Sequence, residues 1–251
     1  MRPEVYREMA SVQERHWWFA ARRRILASVI DGLALPPRAQ ILEIGCGTGA
    51  NLAMLSGYGR LTALEYDEHA RAIAASLGVC PIFAGGLPEP IPTSLEDGSF
   101  DLVCLLDVLE HIDDDGAGLA RAKRLLKPSG RLLVTVPAYT WLWSAHDDAH
   151  HHRRRYTSGT LRQRAMESGL SVARVGYFNS LLFPLIAGVR MAKRLTGGHQ
   201  GREGHDGSEA AMPSALVNTL LFAAFGLERY VVPRALFPFG TSVMAVLSSP
   251  P

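Results

Sequence analysis

Three stretches hold the residues best able to do chemistry. The first is ILEIGCGTGANL (41–52), where an apolar run carrying Glu43 ends in three alternate glycines, Gly45, Gly47 and Gly49. Glycines there permit a tight turn and let a ligand approach the backbone closely. Glu65 ends the next apolar run, where a carboxylate can accept hydrogen bonds from a ribose diol. The second stretch is DVLEHIDDD (107–115), which places His111 after Glu110. The third is WLWSAHDDAHHHRRRYT (141–157), with four of the nine histidines, Asp147, Asp148 and three arginines.

The surrounding elements must bring these stretches together. Residues 3–31 read as one or two helices, and Pro36 and Pro37 precede a strand at Ile41–Ile44. Helix and strand then alternate: Ala50–Ser56, Leu61–Leu64, Glu68–Leu77, Cys80–Ala84, Phe100–Leu106, Gly118–Leu126 and Arg131–Val136. This order predicts a parallel sheet with helices on both faces. Ligands in such sheets bind beyond the carboxyl ends of the strands, so all three stretches are expected at one sheet edge. A capped helix (Thr157–Ser168), a strand (Ser171–Tyr177), two apolar helices (181–195 and 214–232) and a last strand (Thr241–Leu247) follow. TGGHQGREGHDGSEAA (196–211) reads as a polar, mobile linker between the apolar helices.

Two ligands compete for the glycine loop. GCGTGA (45–50) satisfies the loose GxGxxA pattern of a dinucleotide site, which leaves an NAD-linked oxidoreductase as an alternative. Glu43 favours the other reading, because a carboxylate in the loop repels a pyrophosphate and attracts a cationic ligand such as a sulfonium bearing an α-amino group. The Glu-x-Gly-x-Gly-x-Gly run resembles motif I of class I S-adenosylmethionine (SAM)-dependent methyltransferases. LEYD (64–67) resembles their ribose-binding strand end, GSFDLVCLLDVLEHIDD (98–114) their fourth motif and LLKPSGRLLVTVP (125–137) their fifth. HWWFAARRR (16–24) and the arrangement HD…HxRRY, with His146, Asp147, His152 and Arg154 to Tyr156, are similar to segments of a bacterial subgroup of these enzymes.

The resemblance implies a Rossmann-like, doubly wound α/β fold with a seven-stranded sheet. Its antiparallel last strand would lie beside the fifth, with Ser171–Tyr177 at the edge. N-terminal helices and a helical insertion before the last strand would be added. It implies SAM as cofactor, with Glu43 and the backbone of Gly45, Cys46, Gly47 and Gly49 at its methionine part. Glu65 would hold the ribose and Tyr66 would lie on the adenine. Gly86 stands where the family often has Asp, which leaves adenine recognition to the backbone near Gly86 and Leu87. Asp107 and Leu109 would lie near the sulfonium. A single domain over 1–251 would divide into a helical lid (1–35), a SAM-binding core (40–137), an active-site loop (138–158) and an apolar insertion (181–239).

Methyl transfer is an in-line displacement that gains much from holding donor and acceptor aligned. A base is needed only where the acceptor must lose a proton, and histidine suits that task. His111, His146 and His152 are the candidates, with packing or capping as the competing role of His111. Trp17, Trp18 and Arg22, together with Arg154 and Tyr156, are candidate substrate contacts. The aromatics are also open to a role as core packing, and the 141–157 loop to being merely solvated. HDDAHHH has no recognised metal-ligand spacing, so no metal is expected. Asp113 to Asp115 read as charges at a helix N-terminus.

The 251 residues carry a net charge of +2, 26 basic against 24 acidic. That argues against nucleic acid as partner and leaves a small-molecule or lipid-linked acceptor. Three cysteines and a charged N-terminus without an apolar h-region suggest a cytoplasmic protein. Mean hydropathy is +0.06, and much of the apolar excess sits in residues 181–239. These helices cap the site, rest peripherally on a membrane, or form a dimer interface. A noncatalytic scaffold on the same fold is the remaining alternative.

Overall fold

The computed structural model describes residues 3–195 and 212–250. For Pro3, His146 and 193–195 it describes only the backbone. The 196–211 segment expected as a linker lies outside the described residues.

The chain opens with two helices, α1 (Pro3–Val12) and α2 (Trp17–Asp31). Strands and helices then alternate through β1 (Ala39–Ile44), α3 (Leu52–Ser56), β2 (Gly59–Glu65), α4 (Glu68–Ser76), β3 (Ile82–Ala84), β4 (Phe100–Leu106), α5 (Asp115–Leu125) and β5 (Leu126–Pro137). A short α6 (Ala145–Ala149) interrupts the following loop. Then come α7 (Ser158–Glu167), β6 (Ser171–Phe178), α8 (Phe183–Leu195), α9 (Ala215–Gly226) and β7 (Ser242–Ser248).

The seven strands form one sheet in the order β3-β2-β1-β4-β5-β7-β6. β7 is antiparallel to both β5 and β6, and every other pair is parallel. This is the Rossmann-like arrangement expected from the resemblance, with β7 inserted beside β5 and β6 at the edge.

Side chains alternate across each strand, and both faces are covered, so the central strands are apolar throughout. β4 is buried at all seven positions. Leu42, Ile44, Val103, Leu105 and Val134 pack toward Leu119 and Leu125 of α5 and Leu161 of α7. Ile41, Leu102, Cys104 and Leu133 pack on the other face against Ile25, Leu26 and Val29 of α2 and Phe225 of α9. α2 is therefore a core helix, and of the expected N-terminal lid only α1 stands clear of the sheet. Asp114 caps α5 by accepting the N–H of Ala117, and Asp115 lies in its first turn, the helix-terminal role read for this acidic run.

One charge in the apolar insertion has a clear structural task. Glu228, fully buried after α9, accepts the N–H groups of Asn179 (2.6 Å), Ser180 (2.6 Å) and Leu181 (2.9 Å) at the end of β6. It ties the insertion to the sheet. Glu228→Ala leaves three amides without their acceptor and is expected to cost about 2 kcal/mol, read as a lowered urea midpoint at unchanged m-value.

α8 and α9 leave Leu185, Val189, Leu216 and Leu220 exposed. No helix among the described residues is long and apolar enough to cross a membrane.

Candidate active site

β1 turns into the glycine loop because Gly45, Gly47 and Gly49 all have positive φ, at +73°, +56° and +91°. Two of them are also sterically required. A Cβ on Gly45 would meet Val108 at 2.7 Å, and one on Gly49 would meet Leu77 at 2.7 Å. A Cβ on Gly47 would meet nothing within 4 Å, so its restriction leaves open space over the loop. The N–H groups of Gly45 and Cys46 are occupied by the carbonyl of Leu64. The Cys46 side chain is buried in the core, so any ligand contact there falls to the half-buried backbone at Gly47.

Glu43 lies beneath this loop on the α2 side of the sheet, 1% exposed. Asn51 donates to its Oε1 at 2.8 Å, and its Oε2 has no hydrogen-bond partner. Burial pushes its carboxyl up to about 7, against the opposing pull of Asn51 and Arg22. Glu65 ends β2 with its carboxylate turned to the loop, accepting from Gly47 N–H at 2.7 Å and Asp67 N–H at 2.9 Å. Each oxygen retains a second acceptor site. Tyr66 is 75% exposed, its Cβ is close to Gly86, and its ring is available as a stacking face. The N–H of Gly86 donates to Pro90, and Leu87 packs on the core. The turn around Pro88 and Pro90 thus removes the Gly86 N–H from the adenine contacts expected there, while the packing of the Leu87 side chain leaves its backbone role untouched.

α1 lies across the loop. Thr48 donates to Gln13 at 2.7 Å, and the Tyr6 hydroxyl, raised by burial, meets Asp67. None of Tyr6, Gln13, Thr48 or Asn51 was legible as a site residue, because their roles depend on how α1 and α3 dock.

The second and third stretches meet at the carboxyl ends of β4 and β5. Leu109–His111 forms a 3₁₀ turn directly after β4. The loop after β5 is laid onto it, with Arg153 N–H donating to the Glu110 carbonyl at 2.9 Å. The His111 and His152 rings are 4.8 Å apart, edge to face. His111 is surface-exposed, yet desolvation by the overlying loop and the imidazoles of His152 and His150 hold it down to about 4. Asp147 is fully buried and organises the loop. It faces His152 Nδ1 at 2.8 Å and accepts from Arg155 at 2.7 and 2.9 Å and from Ser144 N–H at 2.8 Å. This carboxylate orients His152. The side chain of His146 lies outside the described residues.

Several expected substrate contacts are structural instead. Arg22 is buried, pairing with Asp107 at 2.8 Å and donating to Thr135 at 2.7 Å, with Trp18 5.2 Å away. The outward-facing role fails because Arg22 lies on the inner face of α2. Trp17 packs edge-on against Phe225, and Trp18 against Phe19, the packing alternative for this segment. Tyr156 is a core residue whose hydroxyl donates to Asp115 at 2.8 Å. Arg154 donates to the Asp113 carbonyl and pairs with Asp115 at 3.3 Å. Leu109 is fully buried in the core, so its side chain meets no ligand. Asp107 stays at the strand end, with positive φ and its carboxylate on Arg22 and Thr135.

A family model described as a methyltransferase domain matches residues 18–175. The chain belongs to this methyltransferase-domain family. The dinucleotide alternative falls with that membership. A probable S-adenosylmethionine-dependent methyltransferase of Mycolicibacterium smegmatis is 29% identical over 52% of this chain and 49% of its own. The first curated relatives matched are spanned over 28% to 49% of their own length. The complex between the Haloferax volcanii Trm112 methyltransferase activator and a chain described as a putative methyltransferase shares the fold at TM-score 0.59 and 17% identity, over 99% of this chain and 95% of that one. Phosphoethanolamine N-methyltransferase 2 of Haemonchus contortus shares it at TM-score 0.56 and 16% identity, over 90% of this chain and 52% of that one.

The sheet edge thus carries two distinct ends. One is the open glycine loop over a buried carboxylate. The other is the pairing of His111 and His152 beside an aromatic stack, in which Tyr139 lies 5.0 Å from Tyr177 and 5.6 Å from Trp141.

Proposed function

We propose that the protein transfers a methyl group from S-adenosylmethionine to an oxygen or nitrogen of a small or lipid-linked metabolite bound beneath the 138–158 loop. The observation that carries this reading is the orphaned Oε2 of buried Glu43 under the open space at Gly47. A carboxylate there favours a cationic ligand over a pyrophosphate. When bound, S-adenosylmethionine supplies an electrophilic methyl group.

The residues present fit that ligand. Glu43 and the backbone around Gly47 hold its methionine part, Glu65 accepts from its ribose hydroxyls, and Tyr66 covers its adenine. α1 closes over the loop through Gln13 and Tyr6. Asp107, fixed by Arg22 and Thr135, keeps the β4 edge rigid where the two ligands meet. Positioning of this kind supplies much of the rate of an in-line displacement. At the acceptor end stand His111 and His152, with His146 on the neighbouring α6.

The aromatic stack and the exposed apolar faces of α8 and α9 support a bulky or lipid-linked acceptor, met at a bilayer surface by peripheral contact. HWWFAARRR and HD…HxRRY mark the bacterial subgroup, and a cytoplasmic location is consistent with this reading.

Calorimetry with S-adenosylhomocysteine tests the cofactor site. The wild-type protein binds it. Gly47→Ala places a methyl group in the open space, at a backbone cost of about 1 kcal/mol. It is expected to remain folded while losing at least about tenfold in affinity, which is 1.4 kcal/mol. A folded wild-type protein that does not bind S-adenosylhomocysteine overturns the reading. Extracts incubated with isotopically labelled S-adenosylmethionine then identify the acceptor by mass.

A further inference from the structure

We propose that Glu110, His111 and His152 bind one divalent first-row cation, and that the open coordination position of this cation takes an oxygen of the methyl acceptor. The second half rests on the methyl-transfer reading; the first does not.

One ligand atom from each of the three residues lies within 4.8 Å of the other two. Glu110 is fully buried, and neither carboxylate oxygen has a hydrogen-bond partner. A carboxylate in that position must keep a proton or face a positive charge. Neighbouring guanidinium groups are engaged elsewhere: Arg22 with Asp107, Arg155 with Asp147, and Arg153 with Asp113 at 2.9 Å. A cation between Glu110 and the two imidazoles supplies the missing charge.

The histidine geometry points the same way. Asp147 is already held in place by Arg155 at 2.7 and 2.9 Å and by the Ser144 N–H at 2.8 Å. Its carboxylate lies 2.8 Å from His152 Nδ1, which leaves Nε2 as the ring nitrogen turned away from Asp147. A carboxylate behind a histidine is the arrangement that orients a metal-ligating imidazole.

Two imidazoles and one carboxylate suit Zn²⁺, and also Fe²⁺ or Mn²⁺, with a position left for a further ligand. A tetrahedral ion sets its ligand atoms about 3.4 Å apart, which exposed His111 reaches by side-chain rotation. An open cleft of ≈ 580 Å³, lined by Asp148, His151, His152 and Arg153, gives access. The expectation of no metal considered HDDAHHH alone, whereas these ligands come from two segments that only the fold brings together.

The full chain, stripped with a chelator, is titrated with Zn²⁺ by calorimetry and with Co²⁺ by visible absorption. One ion per chain is expected, with micromolar or tighter affinity and the d–d bands of a four- or five-coordinate site. Glu110→Gln and His111→Ala are each expected to weaken Zn²⁺ binding at least about thirtyfold, with circular dichroism and S-adenosylhomocysteine binding retained. Acetohydroxamate, an oxygen-donor probe, is expected to shift the Co²⁺ bands. No binding at millimolar Zn²⁺, or binding unchanged in both variants and lost instead on joint replacement of His150 and His151 by Ala, overturns the cation site. Co²⁺ bands indifferent to saturating acetohydroxamate overturn the open position. Should Zn²⁺ binding depend on Glu110 and His111 while S-adenosylhomocysteine does not bind, the methyl-transfer reading falls and the cation site stands.

Discussion

Glu43→Gln is expected to stabilise the ligand-free protein at pH 8 and to weaken its hold on S-adenosylhomocysteine. The Glu43 carboxyl titrates near 7 in the folded chain against an ordinary 4.5. Between those values the folded state keeps a proton that the unfolded state has released. Stability therefore falls as pH rises through this window and levels off above it. Ionised and buried, Glu43 costs up to about 3 kcal/mol. Glutamine fills the same volume, still meets Asn51, and carries no charge. The variant should gain about 6–12 °C in Tm at pH 8, converting with the usual 2–4 °C per kcal/mol for a chain of this size. The two proteins should differ little at pH 4.5. Affinity for S-adenosylhomocysteine should drop at least about tenfold, because the charge that opposes folding is the one that attracts the ligand. Opposite signs for stability and binding are the mark of a residue retained for function. Thermal melts at the two pH values, paired with calorimetry, check this. A variant less stable than wild type at pH 8 would refute the account of Glu43.

Asp147→Ala acts in the other direction. The substitution leaves buried Arg155 and His152 without their shared carboxylate and the Ser144 N–H without its acceptor. Removing one partner of a buried ion pair costs about 3 kcal/mol or more, so Tm should fall by roughly 10 °C. The loop over the acceptor end should become open to proteases. The Asp147 carboxyl is held below its ordinary range, so its contribution is complete above about pH 4 and disappears as pH falls further. The gap between wild type and variant should be widest at neutral pH and close in acid. Urea denaturation at pH 7 and pH 3 measures it, and a gap that stays constant across this range would sink the ion-pair explanation.

The fold was largely legible because its signals are local. Apolar runs bounded by Gly and Pro located every strand, Phe100–Leu106 to the residue, although β5 begins at Leu126, five residues before the expected Arg131. The order of elements implied a parallel sheet, and the family resemblance added the antiparallel β7. The glycine-loop end was legible for the same reason: Glu43, three glycines and Glu65 sit at strand ends, where the fold dictates what a residue can reach. The roles of the arginines and of the loop after β5 were not. Arg22 looked like one of three equivalent arginines in RRR, but helical phase turns it inward to Asp107, while Arg23 reaches the Gln13 carbonyl and Arg24 lies over Phe222. Phase relative to a packing partner is a tertiary fact. Likewise, Glu228 looked like an isolated charge in an apolar stretch until the end of β6 supplied its three amides.

By itself the sequence determined the sheet, the glycine turn and the two carboxylates that frame it, because strand periodicity and the steric freedom of glycine act within a few residues. Only the tertiary structure decided which arginines are buried, that Asp147 serves His152, and that the Glu110 carboxylate lies near two histidines with no hydrogen-bond partner of its own. Those outcomes depend on the loop after β5 folding back onto the turn after β4. The energy of a charge is set by what surrounds it in space, and the neighbours of Glu110 and Asp147 come from distant parts of the chain.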